Sequence, residues 1–399
     1  MEKIIIITKS SSKRGYYNMT MQILLHGDPF NMSGYSSAMR DHIRALVEVG
    51  IDVKLSVQKV KSNQIELDDW WKNHLPIMTK PFTGNITISY TITSMYKQFP
   101  NCYNIGFSYW EISKINSQWV ERMNKMDEIW STCNFALDTF KNCGVEKPMF
   151  KAPWPLNDRW FNLEQSKNIH NYQEDNFTFF SMGEFTERKN FDDLIMAYAS
   201  EFQNEAILKD GPSKKNGTIL VIKTYAGLMN DKTRKLMLAK IANARDKLHL
   251  SNKVMIVILA KVLSWDQMSQ YMNSMDCYIS TARGEGMGGP IIQSMALGKP
   301  IIACNHTAIE EYHTSPWKID YTMEPIHSMN YIPAYRNTNA EWARLNIHSL
   351  RKHMRESYEL WKSDKKKFND IGLAGQQYVR DNLNYKIVGE QMKSRLNQI

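Results

Sequence analysis

The stretch TARGEGMGGPIIQSMALGKPIIA, residues 281–303, decides the fold of this 399-residue chain. A short apolar segment, residues 277–279, leads into it. Gly284, Gly286, Gly288 and Gly289 let the backbone turn tightly and lie close to a ligand. Pro290 suits the first turn of a helix and Gly298 suits its stop. Lys299 and Pro300 then lead into a β-branched strand at 301–303. Strand, glycine loop, helix and strand in that order make an α/β unit. In an open α/β sheet, ligands sit on the loops that follow the carboxyl ends of the strands. The loop holds one carboxylate, Glu285, and Gln293 follows eight residues later in the first turn of the helix. Both can face one ligand near the helix N-terminus, where free N–H groups favour an anion.

Upstream, residues 177–182 read as a strand leading into GEFTERKNFDDLIMAYASEF. Asn190 can cap a helix whose apolar face is Phe191, Leu194, Ile195, Tyr198 and Phe202. Arg188 and Lys189 stand just before it, and two fixed cations beside a helix dipole make a diphosphate site. The blander alternative is a pair of solvated loop charges. Strands follow at 218–223 and 254–260. Trp265, Met268, Tyr271 and Met272 then share one face of a helix as core. Alternating strands and helices predict a parallel sheet.

The first half repeats this grammar. Residues 22–25 form a strand, residues 31–34 a turn, and Ser33 caps a helix carrying Met39, Ile43, Leu46 and Val47. Gly50 ends that helix and 53–57 returns as a strand. Residues 104–111 read as a buried strand ending in polar groups, with a helix start near Ile115. Residues 127–131 are a strand, and 134–142 a helix stopped by Gly144. Residues 58–100 are less informative, and 1–20 are left unassigned. Residues 148–155 read as a proline- and aromatic-rich connection, and the polar stretch 163–175 as the interdomain linker. Residues 372–399 read as helices.

Composition sets outer limits. The length allows two domains with separate cores. Hydrophobic content of 43% and charged content of 23% suit a globular chain. The longest apolar runs are far too short to span a bilayer, and the N-terminus does not read as a signal peptide. Five cysteines at irregular spacing suggest reduced thiols and a cytoplasmic setting, and no pair has zinc-ligand spacing. The net charge is +9; residues 1–180 hold 20 Lys/Arg against 18 Asp/Glu, and the remainder 30 against 23. Arg351, Lys352, Arg355 and residues 365–367 supply much of the excess. They fit a solvated helix face, with a membrane or nucleic-acid surface as the sharper alternative.

The 281–303 stretch resembles the donor-binding signature of retaining glycosyltransferases of the GT-B fold, especially glycosyltransferase family 4. That signature is a Glu, seven residues and a second Glu, within a run like EGxGxPxxEAxAxGxPV. Gln293 stands here at the second Glu. The family's strand followed by a GxxxxRKN-like run is matched at 183–190, and a strand ending in Trp-Glu with the following helix and strand at 104–145. The resemblance covers roughly 21–395. It implies two Rossmann-like domains facing a deep cleft: an N-terminal acceptor domain (1–170), a C-terminal donor domain (171–375), and a terminal helix (376–399) crossing back to the first.

The resemblance also implies roles. Glu285 holds donor sugar hydroxyls, Gln293 meets the ribose, and Arg188 and Lys189 meet the leaving diphosphate. Gly286, Gly288 and Gly289 lie against the donor, Thr307 near the base, and Ser33 and Gly34 reach the diphosphate from the opposite domain. Glu111 orients or deprotonates the acceptor hydroxyl, or else serves only as a helix-start carboxylate. The implied partner is a UDP- or GDP-sugar co-substrate, with no cofactor and no metal. The expected acceptor is a hydroxymethylated base in phage DNA, with a saccharide or lipid-linked glycan as the alternative. A non-catalytic nucleotide-sugar binder is a reading of a different class, motivated by Gln293. A nucleotide-sugar epimerase or dehydrogenase would need a GxGxxG turn that residues 21–40 lack.

Overall fold

A computed structural model of the chain describes residues 21–58, 65–164, 176–204, 216–225, 256–260 and 263–399 except 328, 330, 331 and 337, with scattered helical positions between 235 and 246. The readings for residues 1–20, for 254–255 and for most of the 163–175 linker lie outside the described residues.

Six parallel strands form the first sheet: β1 (Gln22–Gly27), β2 (Asp52–Val57), β3 (Ile86–Tyr90), β4 (Tyr103–Phe107), β5 (Glu128–Ser131) and β6 (Met149–Lys151). Their order is β2-β1-β3-β4-β5-β6, so the winding reverses between β1 and β3. Helix α1 (Gly34–Glu48) follows β1. Ser33 caps it by accepting from the Ser36 N–H at 3.2 Å, and Met39, Ile43 and Leu46 are buried beneath it. Gly50, at φ +85°, lets the chain leave the helix. Three elements of this first domain went unread in the sequence: α2 (Asp69–Met78), β3, and β6 within the supposed connection 148–155. Helix α3 (Ser117–Met123) begins after its Asn116 cap, two residues later than expected, and α4 (Asn134–Asn142) has the expected bounds.

The second sheet holds β7 (Phe177–Glu184), β8 (Thr218–Tyr225), β9 (Ile256–Leu259), β10 (Cys277–Ser280), β11 (Ile301–Cys304) and β12 (Lys318–Ile319), all parallel. The order β12-β11-β10-β7-β8-β9 reverses between β7 and β10. Strands buried on both faces read as nearly continuous apolar runs, as Phe177, Phe179, Phe180, Leu220, Val221 and Ile222 do here. Helices α5 (Phe191–Glu201), α6 (Trp265–Ser274) and α7 (Gly289–Ala296) cover this sheet. The chain then adds an antiparallel hairpin, β13 (Tyr321–Pro325) with β14 (Glu341–Leu345), and two long helices, α8 (Ile347–Ser363) and α9 (Lys365–Asn382). Gly372 falls inside α9 because the Gly298 carbonyl occupies the space of a Cβ.

Helix α10 (Tyr385–Leu396) returns to the first sheet and lies on α1. Gly389 lets it approach the Ala45 carbonyl closely. Arg395 grips the buried carboxylate of Glu128 through two bonds of 2.9 and 2.7 Å, and the Tyr385 hydroxyl meets Asp41. Among the described residues no helix is long and apolar enough to cross a membrane. Part of the basic excess of α8 and α9 is paired in place. Arg351 and Arg355 pair with Glu201, Lys362 with Glu359, and Lys366 with Asp370.

Candidate active site

Ligands of open α/β sheets bind at the carboxyl ends of strands where the winding reverses. In the second sheet that point lies between β7 and β10. The loop after β7 carries Arg188 and Lys189, and the loop after β10 carries Glu285. Adjacent strands therefore bring together residues almost a hundred positions apart. Backbone bonds fix the two loops to each other. The Arg283 N–H donates to the Arg188 carbonyl at 2.8 Å, and the Thr281 hydroxyl donates to the Lys189 carbonyl at 3.0 Å.

The side chains make a compact charge cluster. The Lys189 ammonium meets one oxygen of Glu285, and Arg188 Nη1 lies 3.2 Å from the other. Arg188 Nη1 also donates to the Gly284 carbonyl at 2.7 Å. Its Nε lies 3.3 Å from Glu111, which β4 delivers from the opposite domain. The Lys189 stem crosses Gly183, 3.1 Å from where a Cβ would be, so a larger residue there would push the stem aside by a few tenths of an ångström. The cluster is thus two carboxylates and two cations, all largely buried.

Burial and pairing pull against each other here. Burial pushes the Glu285 carboxyl up, but Lys189 and Arg188 outweigh it and hold the group below the usual carboxylate range. Burial opposes the charge of Arg188, yet Glu111 and Glu285 hold its guanidinium above its ordinary value. For Lys189 burial dominates over the pull of Glu285, and its ammonium lies below the usual lysine range.

Thr307 anchors Glu285 from below. Its hydroxyl accepts from the Glu285 N–H at 2.9 Å and donates to the His306 carbonyl at 2.6 Å. It does so at φ +60°, a left-handed conformation that costs a β-branched residue about 1–3 kcal/mol. Strain of this kind gathers at sites the surrounding structure over-determines. Thr307, the residue expected beside a donor base, is buried with its hydroxyl on the glycine loop.

The glycines have a use the sequence did not reveal. Gly288, at φ +73°, is the loop glycine with a left-handed backbone. Gly284, Gly286 and Gly289 are instead approached by the first domain. Cβ atoms there would overlap the Glu111 carbonyl, crowd Tyr109 and Trp110, and overlap the Trp154 ring, respectively. The Trp154 indole is aimed by its Nε1–H bond to Asp41, 2.8 Å. The glycine loop is buried along its length, and the cleft around it is shut.

Ser33 and Gly34 are exposed at the carboxyl end of β1, and a side chain at Gly34 would meet nothing within 4 Å. Gln293 is half-buried on α7, in its second turn rather than its first, because the helix begins at Gly289. Asn190 stands at the N-cap of α5 at φ 53° without capping it; its amide donates to Asp193 at 2.7 Å. Asp192 and Asp193 occupy the first turn, so this helix end already has carboxylates beside it. An anion near β7 therefore depends on Arg188 and Lys189.

The hairpin was missed altogether. Ala343 N–H donates to the Arg283 carbonyl at 3.0 Å, and the Arg283 guanidinium pairs with Glu324 and lies over Trp342. From its connecting loop, the Tyr335 O–H donates to Glu111 at 2.6 Å. No pattern in the sequence ties Tyr335 to a residue 224 positions earlier.

The family described as "Glycosyl transferases group 1" matches residues 162–315, which hold β7 to β11 and the glycine loop. No curated protein sequence matches the chain. Among solved structures, a sucrose-phosphate synthase from Thermosynechococcus elongatus superposes with a TM-score of 0.66 at 14% identity, over 95% of this chain and 98% of that one. A trehalose-6-phosphate structure from E. coli bound with UDP-2-fluoro glucose gives 0.61 at 9%, over 95% and 99%. WaaG, a glycosyltransferase involved in lipopolysaccharide biosynthesis, gives 0.52 at 13%, over 93% and 98%. At such identities the likeness is one of fold. The chain has the GT-B architecture of two facing Rossmann-like domains, and its residues 162–315 are similar to the glycosyltransferase group 1 family.

Proposed function

We propose that the chain transfers a sugar from a UDP- or GDP-linked donor to an acceptor hydroxyl, with retention at the anomeric carbon. The observation that carries this reading is the Arg188–Lys189–Glu285 cluster at the reversal of the second sheet, inside the matched family region. In this reading the donor diphosphate sits on Arg188 and Lys189, and Glu285 takes the donor sugar's hydroxyls and orients the ring. The half-buried Gln293 amide serves the ribose, since it can both accept and donate.

The bond that breaks joins the anomeric carbon to a diphosphate oxygen, and the electron pair leaves with that oxygen. Negative charge grows where the two cations stand, so their attraction is stronger in the transition state than before it. The acceptor oxygen bonds to the same face of the carbon. Its proton passes to the departing diphosphate oxygen, which gains basicity as the bond breaks. Glu111 faces the acceptor side and orients the incoming hydroxyl. The division into an acceptor domain (1–170), a donor domain (171–375) and a returning helix (376–399) belongs to the same proposal.

For the acceptor, residues 1–180 hold 20 Lys/Arg against 18 Asp/Glu, and this near balance favours a saccharide or glycan over DNA. The test supplies a panel of UDP- and GDP-sugars with oligosaccharides or with DNA containing 5-hydroxymethylcytosine, and reads nucleoside diphosphate release and product mass. A hexose or pentose mass gain on an oligosaccharide supports the reading. A gain on DNA that falls steeply with salt transfers the acceptor to nucleic acid. Donor binding without any release under either condition makes the chain a non-catalytic binder and overturns the proposal.

A further inference from the structure

The charge cluster holds two cations and two carboxylates, so its net charge is zero while the cleft is shut. A diphosphate entering a buried neutral cluster gains little field to offset its lost hydration. One carboxylate has to leave Arg188 first. Glu285 cannot do so easily, because its backbone is fixed by Thr307 and its other oxygen is on Lys189. Glu111 can: it comes from the opposite domain, and its hold on Arg188 is a single contact of 3.3 Å. That contact is braced from outside the matched family region. Tyr335 is buried on the loop of the β13–β14 hairpin, edge-on to Trp110 with ring centres 5.6 Å apart, and donates to the same Glu111 oxygen that faces Arg188. Asn116 also reaches that loop, donating to the Pro333 and Ala334 carbonyls at 3.3 Å each. Ser113 and Glu341 exchange two more bonds, of 3.1 and 2.7 Å.

We propose that Tyr335 is a positioning residue of the transfer reaction: it fastens Glu111 to Arg188, making Glu111 the internal anion that the donor's diphosphate must displace, after which Glu111 turns to the acceptor. This rests on the diphosphate site proposed above. It separates two effects that a loosened fold would not separate. Removing the Tyr335 hydroxyl weakens the closed state, so a nucleoside diphosphate binds better. The same change leaves Glu111 poorly aimed after displacement, so transfer slows.

The test is calorimetric titration of the full chain with UDP and with GDP, alongside donor turnover, for wild type, Tyr335→Phe and Glu111→Gln. Tyr335→Phe is expected to tighten binding about fivefold, and Glu111→Gln about tenfold, as the unfavourable displacement is removed. The double variant should bind no better than Glu111→Gln alone, because both act on one contact. Transfer by Tyr335→Phe should fall while its donor KM also falls. Unchanged or weaker nucleotide binding in both single variants, with wild-type binding intact, overturns this inference and leaves the proposed function standing. Absence of UDP and GDP binding by wild type removes the diphosphate site itself, and this inference with it.

Discussion

Lys189→Met is the most informative single change, because its effects on stability and on chemistry can be separated. The substitution keeps the length of the side chain and removes the ammonium that meets Glu285. Removing one partner of a buried ion pair costs about 3–5 kcal/mol. Glu285 retains Arg188 at 3.2 Å, which puts the expected loss near the lower bound, about 3 kcal/mol. Urea unfolding measures it. Turnover should fall roughly 10²–10³-fold, the usual loss when one preorganised charge is withdrawn from a transition state. Adding Glu285→Gln removes the stranded charge and should recover stability to within about 1 kcal/mol of wild type, since a neutral pair carries no desolvation debt. Turnover should not recover. The carboxylate whose pKa Lys189 helps to depress contributes stability above the ordinary carboxylate range and loses it as pH falls through its folded value. In Lys189→Met that folded value rises, so the acid loss should begin at a higher pH. Full turnover by the single variant, or a double variant as unstable as the single, refutes the reasoning.

Three further outcomes follow from the same geometry. Thr307→Val keeps the side-chain shape and leaves the buried Glu285 N–H without an acceptor; urea unfolding should show a loss of about 1–3 kcal/mol. Gly284→Ala drives a Cβ into the Glu111 carbonyl and should wedge the cleft open, seen as a larger radius of gyration by small-angle scattering and a roughly 10²-fold loss of turnover. Burial holds the pKa of His42, His306 and His313 at about 4, below the ordinary histidine value of 6.5. The unfolded chain binds more protons across that window, so stability should fall as pH drops, by up to about 1.4 kcal/mol per unit for each group. His42→Gln should flatten the pH dependence of the urea midpoint; an unchanged slope would show that His42 is not buried and neutral.

What the sequence disclosed was local in origin. Gly284 to Gly289 followed by Pro290 announces a loop and a helix start within ten residues, and Ser33 announces a cap by residue type alone. Arg188, Lys189 and Glu285 were set around one donor by the family resemblance, while their direct pairing comes from β7 and β10 lying side by side at the reversal of the sheet. Elements with weak local signals were lost. β6 is a three-residue strand among prolines, and α2 carries Pro76 inside a helix. The purpose of Gly284, Gly286 and Gly289 was legible only as freedom to turn. The first domain's pressure on them is a contact between distant segments that no spacing encodes. The same holds for Tyr335 on Glu111 and for Trp154 on Asp41, where long-range packing decides the partner.

The most direct test of the account is a crystal structure of the full chain with UDP or GDP bound. The account expects the diphosphate within hydrogen-bonding distance of Arg188 and Lys189, Glu285 retained beside Lys189, and the Glu111 carboxylate drawn away from Arg188. A nucleotide seated elsewhere, with the four-charge cluster undisturbed, would contradict it.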